Sequence, residues 1–248
     1  SRFVLLDHVV GALDGTIGDT SQVADHFLSQ HRSFRALLEA RYWDVEFGRH
    51  VLSTLVRQLR CGHVDLGDPR IAALLRQLLP ESIQAIAAAE RVFDQVNPQL
   101  VLFLEKGYSP YGEVFDVAVN RDLNVVQWVH SHRSDALALK RYNRTNRCLH
   151  PFSVSPETWD TIKAKPWTAV HEQALDTELF GRYREGSWFS RKFLNTNKRI
   201  KSPEEVRQQL GLDPQKKTAV IFSHVLWDAT FFFGENLFDD YEEWLIET

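Results

Sequence analysis

Gln99-Leu-Val-Leu-Phe-Leu104, Glu105-Lys-Gly-Tyr-Ser-Pro-Tyr-Gly112 and Asn124-Val-Val-Gln-Trp-Val129 decide the fold class. The first is a short, unbroken apolar run, the pattern of a strand covered on both faces. The second is a polar loop rich in turn formers. Glu113 to Val119 then restarts a helical pattern, Asn120-Arg-Asp-Leu123 turns the chain back, and the third run is a second buried strand ending at His130. Strand, loop, helix, turn and strand within about 30 residues form a βαβ unit, which implies a parallel sheet and a right-handed crossover.

Working outward, the N-terminal third reads as helical. Asp25–His31 and Ser33–Tyr42 have helical spacing, and Val51, Leu52, Leu55, Val56 and Leu59 form one stripe. A loop through Gly62, Gly67, Asp68 and Pro69 leads to helical segments at 70–79 and 81–96, ended by Asn97-Pro98 because the residue before a proline avoids the helical region. Downstream, helices are expected near Asp135–Tyr142 and over Pro156–Lys163, the latter with Ser155 as its cap. Ser202-Pro-Glu-Glu205 carries a capping box for a helix that runs to Leu210 and stops at Gly211. Thr218-Ala-Val-Ile-Phe222 reads as a third buried strand, followed by an aromatic loop over 223–236 and an amphipathic helix over Leu237–Glu247. The expected architecture is α/β: a Rossmann-like parallel sheet with many helices over residues 1–201. Residues 202–248 would add a linker helix and the first strand-loop-helix of a second α/β domain.

Composition agrees with a folded α/β protein. The 248 residues are 44% hydrophobic, with 7 Trp and 16 Phe, enough to build a large core and to exclude a disordered chain. No apolar run reaches the roughly 18 to 20 residues that a membrane span needs. Cys61 and Cys148 make neither a disulfide framework nor a zinc site, and read as free thiols of a reducing compartment, with a single bridge as the alternative. There is no Met, so short motifs are weighted above long offsets. A net charge of −4 gives no reason to expect nucleic acid, but the charge is unevenly placed. Residues 121–201 carry 15 Lys and Arg against 8 Asp and Glu, whereas residues 202–248 carry 3 against 10. A basic middle in an acidic chain suggests a face that meets an anion.

In open parallel sheets, ligands bind beyond the carboxyl ends of the strands. The three expected strand ends are followed by Glu105, Lys106, Tyr108, Ser109, Tyr111 and Glu113, by His130, His132 and Arg133, and by Ser223, His224, Trp227 and Asp228. Glu105 and Glu113 are candidates for a general base that takes a proton from an acceptor hydroxyl, a role helped by partial burial. Against this, an acidic residue such as Glu113 in a first helical turn also suits the helix dipole without any catalysis. Tyr108 and Tyr111 could stack on a sugar ring or pack against a neighbouring helix. His130 and His132 have metal-like spacing but no carboxylate-rich partner motif, so ligand hydrogen bonding or core satisfaction fits them better. Lys140, Arg141 and Arg144, within the basic stretch 140–147, suit phosphate or carboxylate groups or form a solvated face.

Absent motifs narrow the field. The chain has no Gly-x-x-x-x-Gly-Lys, Gly-x-Gly-x-x-Gly, His-Glu-x-x-His or Gly-x-Ser-x-Gly, which removes support for kinases, dinucleotide dehydrogenases, zincins and serine hydrolases. No Asp-x-Asp occurs, which argues against metal-held nucleotide sugars.

Thr218-Ala-Val-Ile-Phe-Ser-His-Val-Leu-Trp-Asp-Ala-Thr230 and Asn236-Leu-Phe-Asp-Asp-Tyr-Glu-Glu-Trp-Leu245 resemble the start of the second domain in bacterial capsule and surface-polysaccharide glycosyltransferases. The segment from Ser202 through Leu210-Gly-Leu-Asp-Pro214 fits the same pattern. Asn97–Phe103, the Tyr-Ser-Pro-Tyr-Gly loop and Leu123–Trp128 are similar to the end of that family's first domain. The resemblance covers roughly residues 97–150 and 195–248. It implies a cytoplasmic GT-B enzyme of two facing α/β domains that transfers sugar without a metal or other cofactor, from a nucleotide-sugar donor to a glycan or lipid-linked acceptor. Glu105–Glu113 would face the acceptor, and Ser223, His224 and Asp228 the donor. The basic stretch would suit an acidic sugar, a lipid-linked phosphate or peripheral contact with the inner face of the membrane. Most of the donor domain would lie outside these residues, so this segment alone is expected not to turn over. The alternatives are a non-catalytic carbohydrate- or nucleotide-binding α/β domain, and a nucleotide-sugar hydrolase or epimerase.

Overall fold

The structure, a computed structural model, describes residues 20–131, 135–184, 201–228, 231–233 and 237–248. Contacts divide the chain into two compact units. The first takes the residues through Val129 together with Ala138–Phe152 and Ser223–Thr248, and the second takes His130–Leu137 and Ser153–Phe222.

In the first unit, helices α1 (Thr20–Gln30), α2 (Phe34–Leu38) and α3 (Phe47–Leu59) precede a long helix α4 (Pro69–Val96). Asp68 starts α4 by accepting from the Arg70 amide, Pro69 occupies its first turn, and Asn97 ends it in the left-handed conformation. The sequence predicts a break at Pro80, yet α4 is continuous through it. An interior proline costs about 3 kcal/mol. Here Leu75, Leu78 and Leu79 before it and Ile83, Ala85 and Ile86 after it are all buried. Each large apolar side chain contributes roughly 1.5–3 kcal/mol on burial, so packing on both sides outweighs the break. Helices α1 and α3 pack on α4, as does α5 (Tyr111–Asn120).

Strand β1 (Val101–Phe103) pairs in parallel with β2 (Val125–His130), Val101 opposite Val125 and Phe103 opposite Gln127, with α5 as the connection. The expected βαβ unit is therefore present. Leu102 and Leu104 are more than half exposed, however, so β1 is covered on one face and not on two. The segment expected to be helical near Asp135–Tyr142 instead contains a third strand, β3 (Leu137–Tyr142), beside β2. Only residues 131–136 separate β2 from β3. A parallel crossover needs a dozen or more residues, so the sheet is mixed and not purely parallel. Exposure alternates along 137–142, with Leu137, Leu139 and Arg141 exposed and Ala138, Lys140 and Tyr142 more covered, the two-residue period of a strand.

The second unit holds α6 (Pro156–Lys163), α7 (Ala169–Arg184) and α8 (Pro203–Leu210). Ser155 caps α6, and the Ser202–Glu205 capping box starts α8, which ends at Gly211 with φ 64°. Thr218–Phe222 forms no strand, contrary to the sequence expectation. Val220, Ile221 and Phe222 are 68%, 54% and 86% exposed. Among the described residues no neighbouring strand pairs with this segment, and a lone β-prone run has nothing to satisfy its backbone groups but water. A final short helix, α9 (Tyr241–Glu247), belongs to the first unit and is capped by Asp240. Among the described residues, no helix is long and apolar enough to cross a membrane.

Candidate functional site

Helix α5 positions the site because it is buried on every side from Gly112 to Val119. Its two carboxylates, Glu113 and Asp116, are forced inside with it, and a buried charge persists only where it is paired or hydrogen-bonded. Asp116 meets three donors: His50 Nε2 at 3.1 Å, an Arg147 guanidinium nitrogen at 2.9 Å and the Glu46 amide at 3.2 Å. Arg147 also pairs with Glu46 at 3.1 Å. Burial alone would lower the His50 pKa, but the facing Asp116 carboxylate outweighs it and the pKa is raised. Burial acts the other way on Asp116, and is outweighed by His50 and Arg147, which hold its carboxyl below the ordinary range.

Glu113 accepts from Ser82 Oγ at 2.5 Å and from Ser109 Oγ. Burial pushes its pKa up, against smaller opposing effects from His50 and the two hydroxyls. A carboxylate in that state is a stronger proton acceptor than an exposed one. Among the described residues, its Oε2 has no hydrogen-bond partner. The His50 ring lies directly against Gly112, where any Cβ would overlap it.

Ser109 connects this interior to the surface. The β1–α5 loop and α3 enclose a cavity of about 260 Å³ lined by Thr54, Arg57, Gln58, Glu105, Tyr108, Ser109 and Tyr111. The Ser109 amide donates to Thr54 Oγ1 at 2.9 Å, tying the loop to α3. Tyr108 is buried, its hydroxyl donates to Asp228 at 2.9 Å, and the Arg57 guanidinium lies 4.3 Å from its ring centroid. Tyr111 is half exposed at the edge.

The loop residues named from sequence are thus brought together, though with altered roles. Glu105 accepts from the amides of Lys106 at 2.7 Å and Gly107 at 3.0 Å, so it shapes its own turn. Lys106 is fully buried and does not face the cavity. Its ammonium donates to the carbonyls of Arg147 and Leu149, among the rings of Tyr142 (4.0 Å), Phe232 (4.4 Å), Phe115 (5.0 Å) and Phe233 (5.2 Å). Burial lowers its pKa to about 7.

Among the described residues, the other candidates are not part of the cavity lining. His130 is the exposed last residue of β2 and falls in the second unit. His132 and Arg133 lie outside the described residues. In the basic stretch, Lys140 donates to the His150 carbonyl, and Arg144 to the Asn120 carbonyl and Asp122. These cations are engaged within the chain, while Arg141 is exposed. Of the last group, Asp228 reaches the cavity wall through Tyr108. Trp227 packs against the core, and the His224 ring lies 4.3 Å from that of Tyr241 beside the exposed Ser223.

Sequence reasoning missed His50, Thr54, Arg57, Ser82 and Asp116, and placed Arg147 in the basic stretch without its internal partners Asp116 and Glu46. One signal was present in α3. His50, Thr54 and Arg57 recur at steps of four and three, a polar line beside the apolar stripe of Val51, Leu55 and Val56. Among the described residues no group of His, Cys, Asp and Glu could hold a metal ion. No protein-family model matches the chain, and neither the curated proteins nor the solved structures include a match.

Proposed function

We propose that this chain is the acceptor-side part of a metal-independent glycosyltransferase that builds a bacterial surface glycan, on a Rossmann-like scaffold of the GT-B kind. The observation that carries this reading is Ser109, which lines the cavity while its hydroxyl bonds to the buried Glu113. An acceptor hydroxyl in the cavity would pass its proton to Ser109 Oγ as Ser109 passes its own to Glu113. The acceptor oxygen then bonds to the anomeric carbon of a nucleotide sugar. The bond from that carbon to the phosphate oxygen breaks, and the nucleoside diphosphate leaves with the electron pair. Glu113 is the proton sink in this scheme and Ser109 the group that touches substrate.

The test is transfer of labelled sugar from nucleotide-sugar donors to glycan or lipid-linked acceptors by the protein with its natural flanking sequence. Glu113→Gln is expected to lower kcat by about 10²- to 10⁴-fold and to remove the acidic limb of the pH–rate profile. Unchanged transfer in Glu113→Gln would refute the relay. One observation favours a second reading, a non-catalytic carbohydrate-binding domain: Glu113 has no exposure of its own. Saccharide binding with no transfer to any acceptor would support that domain, whereas release of free sugar without an acceptor would point to a hydrolase.

A further inference from the structure

The cavity wall contains two charged side chains, Arg57 and Glu105, and they are differently placed. Glu105 is engaged by the amides of its own turn. Arg57 is exposed on α3, and no carboxylate among the described residues pairs with it. Its guanidinium is nevertheless held in place. Asp228 accepts from the Tyr108 hydroxyl, Tyr108 is buried with its ring fixed, and the guanidinium lies over that ring at 4.3 Å. A guanidinium held over a ring keeps its planar edge of N–H donors available, the geometry that receives a carboxylate or phosphate through two parallel hydrogen bonds. Thr54, Gln58 and Ser109 surround it with hydroxyl and amide groups suited to ring hydroxyls. The volume, about 260 Å³, lies below the roughly 300–1,000 Å³ of pockets for drug-sized ligands, which leaves room for one saccharide ring.

We infer that the cavity recognises an acidic saccharide unit, with Arg57 as the residue that selects the anionic group and the Asp228–Tyr108 pair as its support. This rests on the saccharide reading of the cavity proposed above and assigns its substrate class. In the basic stretch, the anion site suggested by sequence, Lys140, Arg144 and Arg147 are engaged internally and Arg141 is exposed without lining this cavity, where Arg57 is the cation.

The experiment titrates the chain with glucuronate, with glucose and with inorganic phosphate, followed by saturation-transfer NMR and by calorimetry. Glucuronate is expected to bind tenfold or more tightly than glucose. Arg57→Gln should bring the two to the same affinity by weakening glucuronate alone. Arg57→Lys should keep only part of the preference, because a point charge lacks the planar fork. If phosphate binds more tightly than glucuronate and loses that affinity in Arg57→Gln, the anionic group is a sugar phosphate, and the inference stands with that source. Equal binding of glucose and glucuronate, unchanged in Arg57→Gln, overturns the inference while leaving a saccharide site. Absence of any sugar or phosphate binding overturns the saccharide reading and the inference together.

Discussion

Replacing Lys106 by Met tests the buried ammonium directly. Lys106 is fully buried among four aromatic rings, and burial lowers its pKa from 10.5 to about 7. In the unfolded chain the lysine returns to its ordinary value. Between those two values the unfolded state therefore binds more protons than the folded one, so stability rises with pH across this window. It is lost again as pH falls toward the folded value. One pKa unit corresponds to 1.36 kcal/mol, so a difference from 10.5 to about 7 amounts to about 5 kcal/mol in full. From about pH 7 to about pH 9 the proton difference grows from about one half to nearly one, which integrates to about 2 kcal/mol of added stability. Met keeps a long apolar side chain between the rings but removes the titration. Urea unfolding at both pH values, for the wild type and Lys106→Met, isolates the effect because every other titrating group is shared. The wild type should gain about 2 kcal/mol on the variant between about pH 7 and about pH 9. Parallel pH profiles would mean that the ammonium is hydrated in the folded protein, and would refute the reasoning.

Two further outcomes follow from close packing and capping. Gly112→Ala forces a Cβ into the His50 ring, whose displacement also disrupts its bond to Asp116; urea unfolding should show a loss of about 3 kcal/mol, and an unchanged midpoint would contradict the packing described. Ser202→Ala removes half of the capping box of α8 and should lower the protection of its amides against hydrogen exchange by about 1 kcal/mol. Amides of α4 and α5 should be unaffected.

Elements whose signals are local could be read from the chain. The Ser155 and Ser202 caps, the stop at Asn97-Pro98 and the βαβ alternation all arise from neighbouring residues and appear in the structure as expected. Pro80 is an equally local signal, and it failed because buried residues on both sides of it add more than the proline removes. Thr218–Phe222 failed for the opposite reason: its β-branched, apolar composition describes a strand only where a partner strand exists. Strand β3 is not legible in Leu137-Ala-Leu-Lys-Arg-Tyr142, which has no two-residue alternation of apolar and polar residues; the period lies in its exposure, which the folded sheet decides.

The candidate site shows the same division. Sequence located the Glu105–Gly112 loop and the helix it enters, since a strand end followed by turn formers is a nearest-neighbour pattern. It favoured Glu105, since Glu113 in a first helical turn already suits the helix dipole, and packing reverses that order: Glu105 meets its own loop amides while Glu113 meets two hydroxyls inside the core. His50 meets Asp116 from 66 residues away, Tyr108 meets Asp228 from 120, and no periodicity encodes such pairings. By itself the chain determined the caps at Ser155 and Ser202, the stop at Asn97 and the βαβ unit, which depend on backbone sterics and short-range hydrogen bonds. Tertiary packing decided which charges are buried, which distant ones are paired, and that Arg57 and Glu105 meet at one cavity. Burial and electrostatic pairing act between residues that only the folded state makes neighbours.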